Sequence, residues 1–151
     1  MEKRERVMYT DGGCSGNPGV GGWAFVIEAT ENEERIEKSG GDKFTTNNKM
    51  ELTAVINGIN ECLSLGIEKV NIHTDSQYVK NGITSWIKNW KRNNWKTAAK
   101  KPVKNQELWK QLDEANAKME VVWLWVKGHA GVELNERCDT LVGQEMDKIG
   151  R

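Results

Sequence analysis

No stretch of this 151-residue chain approaches the roughly 20 consecutive apolar residues that a membrane-spanning helix needs, so no membrane partner is expected. The N-terminus, Met1-Glu2-Lys3-Arg4-Glu5-Arg6, lacks the apolar centre of a secretory signal. Cysteine is scarce. Cys14, Cys62 and Cys138 show no zinc-ligand spacing, and their odd number argues against a disulfide framework. A reducing cytoplasm is the expected compartment. Internal repeats, low-complexity tracts and linker-like stretches are missing too. The length suits one domain with its own hydrophobic core, expected over 1–151. An apolar fraction of 37% and a charged fraction of 29% fit a soluble globular protein.

A further absence is local. Between Ser76 and Gln106 there is no acidic residue, while eight basic ones occur: Lys80, Lys88, Lys91, Arg92, Lys96, Lys100, Lys101 and Lys104. The other 120 residues hold 14 basic and 22 acidic groups, a balance of −8. The formal net charge of zero therefore conceals one concentrated positive segment, of the kind presented to a polyanion.

Four acids stand in short distinctive contexts: Asp11 in Tyr9-Thr10-Asp11-Gly12-Gly13, Glu51 in Thr45-Thr46-Asn47-Asn48-Lys49-Met50-Glu51-Leu52, Asp75 in His73-Thr74-Asp75-Ser76-Gln77-Tyr78, and Asp139 in Asn135-Glu136-Arg137-Cys138-Asp139. Taken singly each has an ordinary explanation. Asp11 suits a turn, Glu51 lies three after Asn48 as in a capping box, Asp75 could cap a helix and Asp139 could sit on the surface. Converging in one fold they would repel one another unless cations lay between them. Hard divalent ions such as Mg²⁺ or Mn²⁺ take oxygen ligands, so the set reads as a metal centre acting on phosphate.

The periodicities support such convergence. They predict a strand from Val7 to Asp11, a turn-rich loop over 12–22, a buried strand over 23–27 and a third strand over about 33–43. A helix follows over about 48–65 on Leu52, Val55, Ile56, Ile59 and Leu63. Next come a strand over 69–74, helix over 76–90 broken near Gly82, and an irregular basic segment to Lys104. A helix over 105–119, a buried strand over 121–126, a loop over 128–131 and a last helix complete the chain. The order β-β-β-α-β-α-α-β-α implies an α/β fold: a five-stranded mixed sheet, three antiparallel strands then parallel ones, flanked by helices. Ligands in such sheets bind beyond the carboxyl ends of strands. Asp11 and Asp75 fall there, with Glu51 in the first turn of its helix and Asp139 bordering an apolar stripe. His73 reads as structural. Trp23, Trp123 and Trp125 read as core.

Taken in order, Thr10-Asp11-Gly12, Gly16-Asn17-Pro18-Gly19, Thr46 to Leu52, Thr74 to Val79, Val126-Lys127-Gly128-His129-Ala130-Gly131 and Asn135 to Asp139 resemble the motifs of type 1 ribonuclease H, from about Met8 to Val142. The basic tryptophan-rich segment resembles the basic protrusion of the bacterial branch. The resemblance implies the ribonuclease H-like fold, in a monomer that hydrolyses the RNA strand of RNA/DNA hybrids with two Mg²⁺ ions, for which Mn²⁺ would substitute. The products would carry 5′-phosphate and 3′-hydroxyl ends.

It further implies that Asp11 bridges the ions, that Glu51 and Asp75 complete the shell, and that Asp139 holds the nucleophile-side ion. His129 would assist proton movement or product release, which imidazole can do near neutral pH. Cys14, Asn17, Thr46, Asn47, Asn48, Gln77 and Asn105 would contact substrate, although loop capping explains such short polar groups equally well. Tyr78 and Trp86 would line the DNA-strand channel, with Trp90 packing. Lys88, Lys91, Arg92 and Lys96 would meet phosphates. One position departs from the family pattern, which often has arginine two residues before Thr46, in a DNA-phosphate pocket; here it is Phe44, beside Lys43. Two other functions compete. A related polynucleotidyl transferase would share the acids without the His129 loop or the basic segment. A non-catalytic nucleic-acid binder would need the basic segment but not the acids.

Overall fold

A computed structural model of the chain describes residues 4–126 and 133–150. Its elements are β1 (Glu5–Ser15), β2 (Gly19–Ile27), β3 (Ile36–Thr45), α1 (Asn47–Ser64), β4 (Lys69–Thr74), α2 (Gln77–Asn81), α3 (Ile87–Arg92), α4 (Gln106–Asn116), β5 (Glu120–Trp125) and α5 (Glu133–Ile149). The sheet order is β3-β2-β1-β4-β5. β1 pairs antiparallel with β2, and β2 with β3. β1 pairs parallel with β4, and β4 with β5. This is the mixed sheet expected from the element order.

Two apolar layers hold the sheet. On one face Met8, Phe25, Ile27, Val70 and Ile72 pack against Leu52, Val55 and Ile59 of α1 and Trp109 and Leu112 of α4. On the other, Ala24 and Val26 pack against Leu134, Cys138, Leu141, Val142 and Met146 of α5. A strand buried on both faces, such as β2, reads as a continuous apolar run, and 23–27 does so.

Local chemistry shifts several boundaries from those the periodicities predict. The glycine-rich segment 12–22 is largely strand, because its glycines serve close approach and not only turning: a Cβ on Gly22 would fall 2.8 Å from the Val142 carbonyl oxygen of α5. The hairpin turn is confined to 16–18. Helix α1 is capped by Thr46, whose Oγ1 accepts the Lys49 N–H at 3.2 Å. That corrects the Asn48–Glu51 capping box and leaves the Glu51 carboxylate for other work.

Helix runs on past Gly82 without a break. A π-helical turn, Gly82–Trp86, joins α2 to α3 where Trp109 packs directly on Gly82. Strand β5 lies at the sheet edge and is only half-buried. Trp123 packs partly against the core, but Trp125 is 39% exposed, which corrects its reading as core.

The basic segment after α3 is irregular, as expected. Its backbone is left-handed at Asn94, Trp95, Lys100 and Asn105. Trp95 and Trp90, Trp90 and Trp109, and Tyr78 and Trp109 meet ring to ring with centroids 6.4, 5.2 and 5.2 Å apart. Lys91 pairs with Asp113 of α4 at 3.2 Å. Aromatic packing of Trp95 thus fastens the segment to the body, and the Lys91 ion pair fastens the end of α3 just before it.

Candidate active site

Asp11 lies in the part of β1 that runs beyond its parallel pairing with β4, whose last rung is Tyr9 with His73. Asp75 follows β4 immediately. Glu51 sits just past the first turn of α1, packed on β1 at Gly12, where a Cβ would fall 2.4 Å from the Glu51 nitrogen and 2.5 Å from the Met50 carbonyl carbon. Only a residue without a side chain lets strand and helix start meet there. The consequence is a trio: carboxylate oxygens of Asp11, Glu51 and Asp75 all lie within 4.8 Å of one another.

Asp11 and Glu51 are buried, at 4% and 6% exposure. Burial, then the charges of Asp11 and Asp75, hold the Glu51 carboxyl well above the usual carboxylate range; a hydrogen bond from the Gly12 backbone opposes this. Glu51 Oε1 is buried with no hydrogen-bond partner. A buried oxygen left unsatisfied is costly and calls for an explanation. An oxygen-seeking cation between the three acids supplies one, and an all-carboxylate donor set fits a hard divalent ion.

The trio opens into a cleft of about 470 Å³, lined also by Cys14, Asn47, Asp139 and Val142. Asp139 is exposed. It lines the cleft but stands outside the close trio. Cys14 donates through Sγ to the Thr45 carbonyl at 3.2 Å. Asn17 Oδ1 accepts the Asn47 N–H at 2.9 Å, tying the β1–β2 turn to the start of α1. Asn17 and Thr46 thus do the capping that competes with substrate contact as their explanation, and Asn47 and Asn48 stand beside them in the first turn of α1.

Gln77 is exposed at the start of α2. The Tyr78 hydroxyl accepts from Asn105 Nδ2 at 3.1 Å and from Trp109 Nε1 at 3.0 Å, so the Asn105 amide is partly committed to holding Tyr78. The motifs do not single out Trp109, although its spacing to Leu112 marks it for the buried stripe of α4.

Trp86 is 39% exposed, with its ring edge-on to Tyr78. Lys88, Lys91, Arg92 and Lys96 belong to the basic segment and do not line the cleft. Phe44 is 72% exposed. His73 stacks on Tyr9 at 4.5 Å, and burial lowers its proton affinity, in keeping with a structural role. His129 lies outside the described residues.

Fold and site together define a class: a mixed α/β sheet that gathers carboxylates at the ends of its central strands in a set fit for a hard divalent ion. Comparison with known proteins narrows this. The RNase H family model matches residues 3–147. Ribonuclease H of Hydrogenovibrio crunogenus is 54% identical over 146 residues, covering 97% of this chain and 98% of that protein. Ribonuclease H of Treponema denticola is 49% identical over 155 residues, covering 94% and 97%.

Among solved structures, LC9-RNase H1, a type 1 RNase H with the type 2 active-site motif, superposes with a TM-score of 0.88 at 28% identity, over 98% of this chain and 74% of that one. LC11-RNase H1 in complex with an RNA/DNA hybrid superposes with a TM-score of 0.70 at 25% identity, over 95% and 97%. The chain belongs to the ribonuclease H family and is a nuclease, a phosphodiester hydrolase.

Proposed function

We propose that this enzyme cleaves the RNA strand of RNA/DNA hybrids internally, by a two-metal mechanism that leaves 5′-phosphate and 3′-hydroxyl ends. The observation that carries the reading is the convergence of Asp11, Glu51 and Asp75 within 4.8 Å, with Glu51 Oε1 buried and unpartnered. Asp11 would be the ligand shared between the ions, Glu51 and Asp75 would complete the donor set, and Asp139 at the cleft rim would hold the ion that serves the nucleophile. Two Mg²⁺ ions, replaceable by Mn²⁺, would supply activation of the attacking water and stabilisation of the leaving 3′-oxygen of an in-line displacement.

The protein's own groups do the rest. Glu51, whose carboxyl is held above the usual carboxylate range by burial and by the charges of Asp11 and Asp75, would bind a cation in competition with protons. Cys14 and Asn47 line the cleft, and they would contact the substrate together with Asn17, Thr46, Asn48 and Gln77, because short polar groups suit 2′-hydroxyl and phosphate contacts. Trp86 and Tyr78, held by Asn105, offer flat surface to the DNA strand, and Lys88, Lys91, Arg92 and Lys96 offer charge to its phosphates. His129 moves protons or helps product leave. The enzyme works as a cytoplasmic monomer, in one domain. That LC11-RNase H1 has been solved with an RNA/DNA hybrid supports the choice of substrate.

A gel of uniformly labelled hybrid and of duplex DNA, with Mg²⁺ and with excess EDTA, tests the reading. Shortened RNA bearing 5′-phosphate is expected with Mg²⁺ only, and the duplex DNA should stay intact. Equal cleavage in EDTA would refute the metal mechanism, and comparable cleavage of duplex DNA would refute the substrate assignment.

A further inference from the structure

Strand β4 ends one residue before Asp75. Its last rung with β5 pairs Thr74 with Trp125, and the Val126 N–H donates to the Thr74 carbonyl at 2.8 Å. Asp75 follows this last described rung. Two side chains act at this point. The Trp125 indole Nε1–H donates to the Asp75 carbonyl oxygen at 3.3 Å. The following N–H, of Ser76, donates to Thr74 Oγ1 at 3.1 Å, and Ser76 then caps α2.

Core packing does not account for this indole. Trp123, two residues earlier on the same strand, packs against the core and donates to Asn116 Oδ1 at 3.2 Å. Trp125 is 39% exposed and, among the described residues, belongs to neither buried cluster. Leaving so large an apolar group at the surface forfeits burial, and a fixed N–H donor is what it offers in return.

We propose that Trp125 is a positioning residue for Asp75. Its indole N–H extends the contact between β4 and β5 past the last described rung and fixes the main chain from which the Asp75 carboxylate reaches Asp11 and Glu51. A carboxylate serving three-way geometry must be held to within about half an ångström, which requires its own backbone to be held. This rests on the reading of the three acids as a cation site.

The test is Trp125→Phe, which keeps an aromatic ring and deletes the donor, beside Asp75→Asn. Each is compared with wild type by calorimetric Mn²⁺ titration of the free protein, by kcat and KM on hybrid, and by thermal unfolding in EDTA. Trp125→Phe should weaken Mn²⁺ binding and lower kcat, each by roughly threefold to tenfold, the worth of one neutral hydrogen bond. KM and the EDTA melting temperature should stay at wild-type values. Wild-type Mn²⁺ affinity and kcat would overturn the proposal. A change in KM alone would overturn it by making Trp125 a substrate contact, and a lowered melting temperature that accounts for the loss would make it merely structural. If Asp75→Asn binds Mn²⁺ like wild type, the cation-site reading itself fails and this inference goes with it. If Asp75→Asn loses binding while Trp125→Phe does not, only the positioning role falls.

Discussion

Replacing Asp11 by Asn should destroy activity and raise the stability of the metal-free protein. Asp11 contributes one of three carboxylates whose oxygens lie within 4.8 Å, and at 4% exposure little water screens it. Two unit charges at that separation repel by about 3.5 kcal/mol at an effective dielectric near 20. The repulsion acts on a carboxyl whose titration is already shifted upward, so a net gain of about 2 kcal/mol, less than the full pair energy, is expected. For a chain of this size that raises the melting temperature by roughly 4–8 °C.

The pH dependence follows from the direction of the Glu51 shift. Its carboxyl titrates above the usual range when folded, so its stabilising contribution is complete below the ordinary carboxylate pKa and is lost as pH rises through the folded value. Asp11→Asn removes one cause of that shift. The gain measured in EDTA should therefore be larger at about pH 8 than at about pH 5. With Mg²⁺ and hybrid, kcat should fall by more than about a hundredfold, since losing even an outer partner of a metal ligand costs roughly 10–100-fold. Thermal unfolding at the two pH values and a single-turnover assay check both halves. An unchanged or lowered melting temperature would show that the three acids do not repel in the metal-free protein. Near-wild-type kcat at saturating Mg²⁺ would show that Asp11 holds no catalytic ion.

Two further outcomes are expected. Lys88, Arg92 and Lys96 changed together to Ala should raise KM with little effect on kcat, and flatten log K against log salt by roughly 0.9 for each phosphate no longer neutralised. Lys91 is left in place because it pairs with Asp113; a salt titration with an unmoved slope would take these side chains off the substrate surface. Gly12→Ala drives a Cβ into the Met50–Glu51 backbone, so it should cost about 1–3 kcal/mol in urea unfolding and displace Glu51 enough to depress kcat. Wild-type values of both would show that strand and helix are not locked at this point.

Element order, the mixed sheet and the three acids that the fold gathers, Asp11, Glu51 and Asp75, are legible in the sequence alone. Periodicity reports burial, and burial on one face or two is what separates helix stripes from β2's unbroken apolar run. The basic segment is legible too, since charge needs no fold to be counted. What depends on a neighbour distant in the chain is not. Segment 12–22 reads as loop because glycine is a weak strand former, yet the pressure of α1 and α5 on Gly12 and Gly22 makes glycine the residue those strands require.

Trp123 and Trp125 look alike in a strand of alternating residues, but β5 is an edge strand, and only the register with β4 sets one indole on the core and the other on the Asp75 carbonyl. Asp139 reads in the sequence as an equal of the other acids, while the tertiary structure sets it at the rim, apart from the trio. Sequence names the groups, but only packing sets the few ångströms between them, and carboxylate repulsion and cation binding both depend on that separation.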